Sequence, residues 1–104
     1  MHVVIFEVVP HENLAHRYFD LAAELRPELE KIDGFISVER FESLTNKGKF
    51  LSLSFWRDDE AVKRWRTQLN HQAAQDEGKQ RVFKDFRIRV AEVIRDYSLK
   101  DRLK

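Results

Sequence analysis

The sequence predicts an α+β domain in the order β-α-β-β-α-β, with helices on one face of a four-stranded antiparallel sheet. Three observations predict it. Runs rich in β-branched and aromatic residues at 3–9, 35–44, 50–56 and 86–97 read as strands. Two apolar stripes at steps of three and four read as helices, one before the second run and one before the fourth. Thr45-Asn46-Lys47-Gly48 is a turn between the two middle runs, which makes them a hairpin.

Each element has a local cause. Residues 3–9 (VVIFEVV) are apolar at odd and even positions alike, as a strand covered on both faces requires, and Pro10 ends the run. Leu14, Tyr18, Leu21, Leu25, Leu29 and Ile32 form the stripe of the first helix, with His11 or Asn13 near its start. Pro27 should kink that helix or start a second short one, and Asp33-Gly34 should stop it. Residues 35–44 (FISVERFESL) and 50–56 (FLSLSFW) follow as strands. Asp58 and Asp59 suit a helix N-terminus, where carboxylates meet the positive end of the dipole. Ala61, Val62, Trp65 and Leu69 make that helix's apolar side, Asn70 should interrupt it, and residues 71–82 read as a further polar helix weakened at Gly78. The final strand spans 86–97 and the charged tail 98–104.

The order is that of the split βαβ, or ferredoxin-like, arrangement. Such a sheet leaves one face open to water, yet residues 3–9 are apolar on both faces. A homodimer, with a second copy over the open face, resolves this; strand propensity alone is the other explanation.

Composition narrows the function. A chain of 104 residues is a single domain, 1–104. Its 19 basic and 18 acidic residues leave a net charge of +1, which argues against nucleic acid as the partner. There is no cysteine, so thiolate nucleophiles, disulfides and zinc fingers are excluded, and a cytoplasmic location fits. No apolar run is long enough to span a bilayer, and the first ten residues read as a strand rather than a signal peptide. There is no phosphate loop, dinucleotide glycine fingerprint or hydrolase elbow.

The residues with chemistry are few. Trp65 lies at core spacing beside Val62 and Leu69; its functional role would be a flat apolar wall for a planar ligand. Trp56 ends the third strand and is a second candidate for that wall. His71 follows Trp65 by six residues, and an imidazole with an ordinary pKa of about 6.5 suits a general base; its structural role would be a helix cap. His2, His11 and His16 have no partner at metal-ligand spacing, so no metal site is expected. Arg87, Arg89 and Arg95 share one side of the last strand with Ala91 and Val93 and could bind an anionic or enolate oxygen. Their structural role would be pairing with Glu39 or Glu42, or with acids on a partner. Glu92 interrupts the other side, which suggests a bulge that swaps the faces. Glu7 breaks the first strand's apolar run, so it is either paired with an arginine or aimed into a cavity. Arg40, Ser52 and Ser54 are further polar candidates on the sheet.

Four stretches carry a resemblance: IDGFISVERFES, LSLSFWRDDEAVKRW, NHQAAQDEGK and DFRIRVAEVIRDY. Together they make the chain similar, over nearly its whole length, to the antibiotic biosynthesis monooxygenase superfamily of dimeric α+β barrels. That resemblance implies a monooxygenase acting with molecular oxygen, and without cofactor, on a small aromatic or polyketide-like substrate in a pocket between sheet and helices. Trp65 would match the family's helix tryptophan and Arg87 or Arg89 its last-strand arginine. His71 would act as base, with Glu7 and Trp56 lining the substrate. Ala61 stands where quinone-forming members place an asparagine. The haem-degrading branch is a second comparison, but Glu7 replaces its first-strand asparagine and His71 comes about one helical turn before its iron-binding histidine. The fold also includes non-catalytic binding proteins, which leaves that role open.

Overall fold

The computed structural model describes residues 1–75 and 82–102, with side chains apart from those of 69–75 and 102. Its elements are β1 (His2–Pro10), α1 (Ala15–Glu30), β2 (Phe35–Glu42), β3 (Phe50–Trp56), α2 (Asp59–Gln75), β4 (Phe83–Glu92) and a final turn of helix, α3 (Leu99–Arg102). The strands form one antiparallel sheet in the order β2-β3-β1-β4, so the chain has the ferredoxin-like α+β fold. No helix among the described residues is long and apolar enough to cross a membrane.

Register fixes which side chains share a face. Val4 stands between Ser54 and Val90, Phe6 between Ser52 and Ile88, and Val8 between Phe50 and Phe86. These even positions lie under the helices. The core forms there as two clusters. One joins Val8, Phe50 and Val82 to Tyr18 and Leu21 of α1. The other joins Val4 and Trp56 to Ala61 and Val62 of α2, with Leu29, Ile32, Phe35 and Trp65 against it. The odd positions Val3, Ile5, Leu51, Leu53 and Phe55 form the opposite face and stay half-exposed.

Several elements depart from the sequence reading. Pro27 does not break α1, because Leu29 beyond it packs on the second cluster and holds the last turn in place. A short 3-10 turn, Glu12–Leu14, precedes α1, and no side chain caps the helix itself. Asn70 does not interrupt α2, which runs on to Gln75; an asparagine costs a helix interior well under about 1 kcal/mol. The rest of the expected polar helix, 76–81, lies outside the described residues. β2 stops at Glu42, two residues short of the expected end. β4 starts at Phe83 and stops at Glu92, five residues before Tyr97. It stops there because β1 ends opposite: His2 pairs with Glu92, and Val93 N–H donates to the Met1 carbonyl as the last rung at 2.9 Å. The pairing from Phe86 to Glu92 is unbroken, so the faces do not swap midway; the irregularity lies instead between Val9 and Pro10.

Candidate functional site

The entry to α2 is the most tightly fixed corner of the helix side. Asp58 accepts a hydrogen bond from the Ala61 N–H at 2.9 Å, which satisfies one of the helix's free donors. Arg57 makes a two-pronged contact with Asp33 at 3.1 and 3.2 Å and donates its backbone N–H to the Gly34 carbonyl at 2.7 Å. Hydrogen bonding from Arg57 holds the Asp33 carboxyl below its ordinary pKa, and the Ala61 N–H, followed by Arg57, does the same for Asp58. Gly34 has φ +95°, and a Cβ built on it would lie 2.5 Å from the Ala61 Cβ. Ala61 is itself fully buried. Ala61, where the resemblance led one to look for an asparagine, is thus sealed beneath a glycine.

The other candidates fall on two sides of the sheet. Trp56 and Trp65 are on the helix side, with ring centroids 6.0 Å apart. Trp56 is 0% exposed, and its indole N–H donates to the buried Ser54 Oγ at 2.9 Å, so it is a core residue and no pocket wall. Trp65 is half-buried on α2, packed against the second cluster. Arg87 and Arg89 lie in register with Glu7 and Ile5, on the opposite face of the sheet. There the Arg89 guanidinium reaches the Glu7 carboxylate at 3.3 Å, and Lys49 Nζ approaches the same oxygen at 3.8 Å. An open depression of about 370 Å³ runs past Glu7, Lys49, Arg87 and Arg89. The arginine's acid partner is therefore Glu7 rather than Glu39 or Glu42. One protomer does not bring Arg87, Arg89 and Glu7 together with Trp65. His71 falls within α2, but its side chain is outside the described residues.

Between the two core clusters the helix side of the sheet is incompletely covered. The rows on either side are buried at their centres: Val8 with Phe50 on one, Val38 with Ser54 and Val4 on the other. The row between them is Arg40, Ser52, Phe6 and Ile88; the first three are partly buried, Phe6 packs against the first cluster, and Ile88 is exposed. Arg40 joins this row from the edge strand β2. The Tyr18 hydroxyl reaches it from α1, close enough for the guanidinium to act on the phenol: burial raises the Tyr18 pKa, and Arg40 offsets part of that rise. Arg40 acts on the phenol both as a charge and as a hydrogen-bond donor, and neither the buried Tyr18 OH nor the buried Arg40 Nε has a further partner. The sequence offered Arg40 only as one polar residue among several and Tyr18 only as a member of an apolar stripe. The available signal was an arginine two residues from Val38, at an inward strand position.

An antiparallel four-stranded sheet with both long helices on one face, an exposed apolar opposite face and a tryptophan over the helix side define a class of small α+β domains. The profile of the antibiotic biosynthesis monooxygenase family matches residues 1–77, and the chain belongs to that family. The jasmonate monooxygenase ABM of Pyricularia oryzae is 46% identical over 93 residues, which are 89% of this chain and 43% of that protein. The chain thus spans less than half the length of that relative. A solved protein of Deinococcus radiodurans superposes with a TM-score of 0.79 at 18% identity, over 95% of this chain and 98% of that one. The haem-degrader MhuD of Mycobacterium tuberculosis, solved with two haems in its active site, superposes with a TM-score of 0.72 at 17% identity, over 94% and 100%. At such identities the two structures share the fold with this chain.

Proposed function

We propose that this chain is a monooxygenase that binds a small hydrophobic substrate on the helix side of the sheet and needs no resident cofactor. The observation that carries this reading is the 46% identity to a jasmonate monooxygenase across most of the chain. The geometry is compatible with it: Trp65 offers a half-buried aromatic surface, and a partly buried row of Phe6 and Ser52 with exposed Ile88 lies between the two cores on the same side of the sheet. Candidate substrates are jasmonate-like molecules and phenolic polycycles. In the second case the balance closes without a reductant: the substrate gives up two C–H hydrogens, one oxygen atom becomes a carbonyl and the other leaves as water; hydroxylation of a jasmonate-like molecule takes two further electrons and two protons, supplied by a soluble reductant such as NADPH. The protein supplies a dry apolar wall at Trp65 and a base that takes the first proton, for which His71 is the candidate on α2.

Arg87 and Arg89 act elsewhere in this reading. They face the open side with Glu7, where a second copy of the chain would cover Val3, Ile5, Leu51, Leu53 and Phe55. The homodimer buries this apolar face, and the paired Glu7 and Arg89 remain compensated within it.

Haem is disfavoured in this reading, because the resemblance sets Glu7 where the haem-degraders carry a first-strand asparagine, and Glu7 is engaged with Arg89 and Lys49 on the face away from the helices. The deciding experiment follows oxygen uptake and product formation by the purified protein with jasmonate and with a phenolic polycycle. Parallel titration with haemin should give no saturable Soret shift. A shift abolished by His71→Ala, together with haem loss under oxygen, would replace this reading with haem degradation.

A further inference from the structure

We propose that the two copies of the homodimer pack with β4 of one over β2 of the other, so that the partner's Glu39 forms an ion pair with Arg89, beside Arg87. This rests on the homodimer stated above and fixes its arrangement. Three observations carry it. On the open face the register sets Glu39, Leu53, Ile5 and Arg89 in one row, with the acid on one edge strand and the arginine on the other. Three strand spacings hold the two about 14 Å apart, too far to pair within a protomer. Among the described residues Glu39 and Arg87 make no ion pair, and Arg89 shares the Glu7 carboxylate with Lys49. The depression on this face is lined by three cations, Lys49, Arg87 and Arg89, and two carboxylates, Glu7 and Asp85, which leaves one positive charge in excess. Between the charged edges Leu53 and Ile5 are half-buried and apolar, and they continue the face that a second copy would cover.

Charge selects between the two ways of stacking aligned faces. A two-fold axis along the strands places β4 of each copy over β2 of the other. Each Arg89 then meets the partner's Glu39, twice per dimer, while the apolar centres of the two rows lie on each other. A two-fold axis across the strands stacks β4 on β4 and β2 on β2. That sets arginine against arginine and acid against acid, and like charges across an interface are costly. The first arrangement supplies the negative charge that the depression lacks. Its ion pairs fall at the rim, where they select register and partner more than they add affinity.

The test measures the dimer dissociation constant by sedimentation equilibrium for the wild type, Glu39→Lys, Arg89→Glu and an equimolar mixture of the two variants. Each variant alone sets like charges at both rim contacts and should raise the constant about tenfold or more. In the mixture every rim contact again joins opposite charges, so heterodimers should form with a constant within about threefold of the wild type. Unchanged association in Glu39→Lys, or two folded variants whose mixture associates as weakly as each alone, would overturn the arrangement. Glu39 is exposed and has no ion pair in its own protomer, so Glu39→Lys probes the contact between copies. It decides the question even where Arg89→Glu, which also removes the Glu7 contact, fails to fold. A wild type that is monomeric at every concentration would remove the homodimer and this arrangement together. A wild-type dimer indifferent to Glu39→Lys would remove the arrangement alone. No measurement here needs turnover, so the monooxygenase reading stands or falls separately.

Discussion

Replacing Gly34 with alanine probes the corner where the second strand, the third strand and α2 meet. Two costs are readable from the structure. At φ +95° an alanine pays about 1–2 kcal/mol for a left-handed backbone. Its methyl would also sit 2.5 Å from the Ala61 Cβ, which is fully buried and cannot turn aside, an overpacking cost of about 1–3 kcal/mol. The combined loss, about 2–5 kcal/mol, is a large part of the stability of a domain this size and should lower the melting temperature by ~10 °C or more. Chemical denaturation of Gly34→Ala, Ala61→Gly and the double variant separates the two costs. Ala61→Gly is destabilising alone, through a lost buried methyl and a weaker helix. In the double variant the overlap disappears while the backbone strain stays. The two changes should therefore couple favourably by about 1–3 kcal/mol. Additivity to within ~0.5 kcal/mol would refute the packing of Gly34 on Ala61.

Three further outcomes are expected. Asp33 and Asp58 are held below their ordinary pKa of 3.8; the unfolded chain therefore takes up protons first as pH falls, and their stabilisation is present above about pH 4 and lost below it. The stability gap between wild type and Arg57→Gln should accordingly narrow between about pH 5 and pH 2 in urea titrations, and a constant gap would exclude the role of Arg57. Leu53→Asp, on the open face between Ile5 and Glu39, should give a monomer in sedimentation equilibrium and the wild type a dimer; equal masses would exclude that face as the interface. Trp56→Phe should lower stability by about 1–3 kcal/mol, through lost packing and the Ser54 hydroxyl left without its donor, and spare substrate affinity, whereas Trp65→Phe should weaken affinity and spare the fold. The reverse pattern would exchange the two tryptophans' roles.

The fold was legible because its signals are periodic. Alternation and the three-four stripe placed four strands and two helices. What failed were boundaries set by tertiary partners. Pro27 and Asn70 carry local breaking signals that packing and a low helical cost override. The end of β4 depends on where β1 runs out of residues, which the β4 sequence does not contain. The candidate site was legible as residues but not as sides. Arg87 and Arg89 alternate correctly, yet only register against β1 shows that their face is Glu7's and not Trp65's. Trp56 and Trp65 look equivalent in sequence, while the Ser54 hydrogen bond and full burial make the first a core residue. Tyr18 and Arg40 are 22 residues apart on different elements, so the approach of the guanidinium to the phenol is a property of the assembled fold.

Monooxygenation is tested most directly by supplying heavy-isotope dioxygen to the purified, metal-depleted protein with jasmonate or a phenolic polycycle, with and without NADPH, and reading the product by mass spectrometry. A product carrying one heavy oxygen atom, lost or strongly reduced in Trp65→Phe, is the predicted result. Product formation that requires added haem, or no oxygen-dependent product from either substrate class, would contradict it.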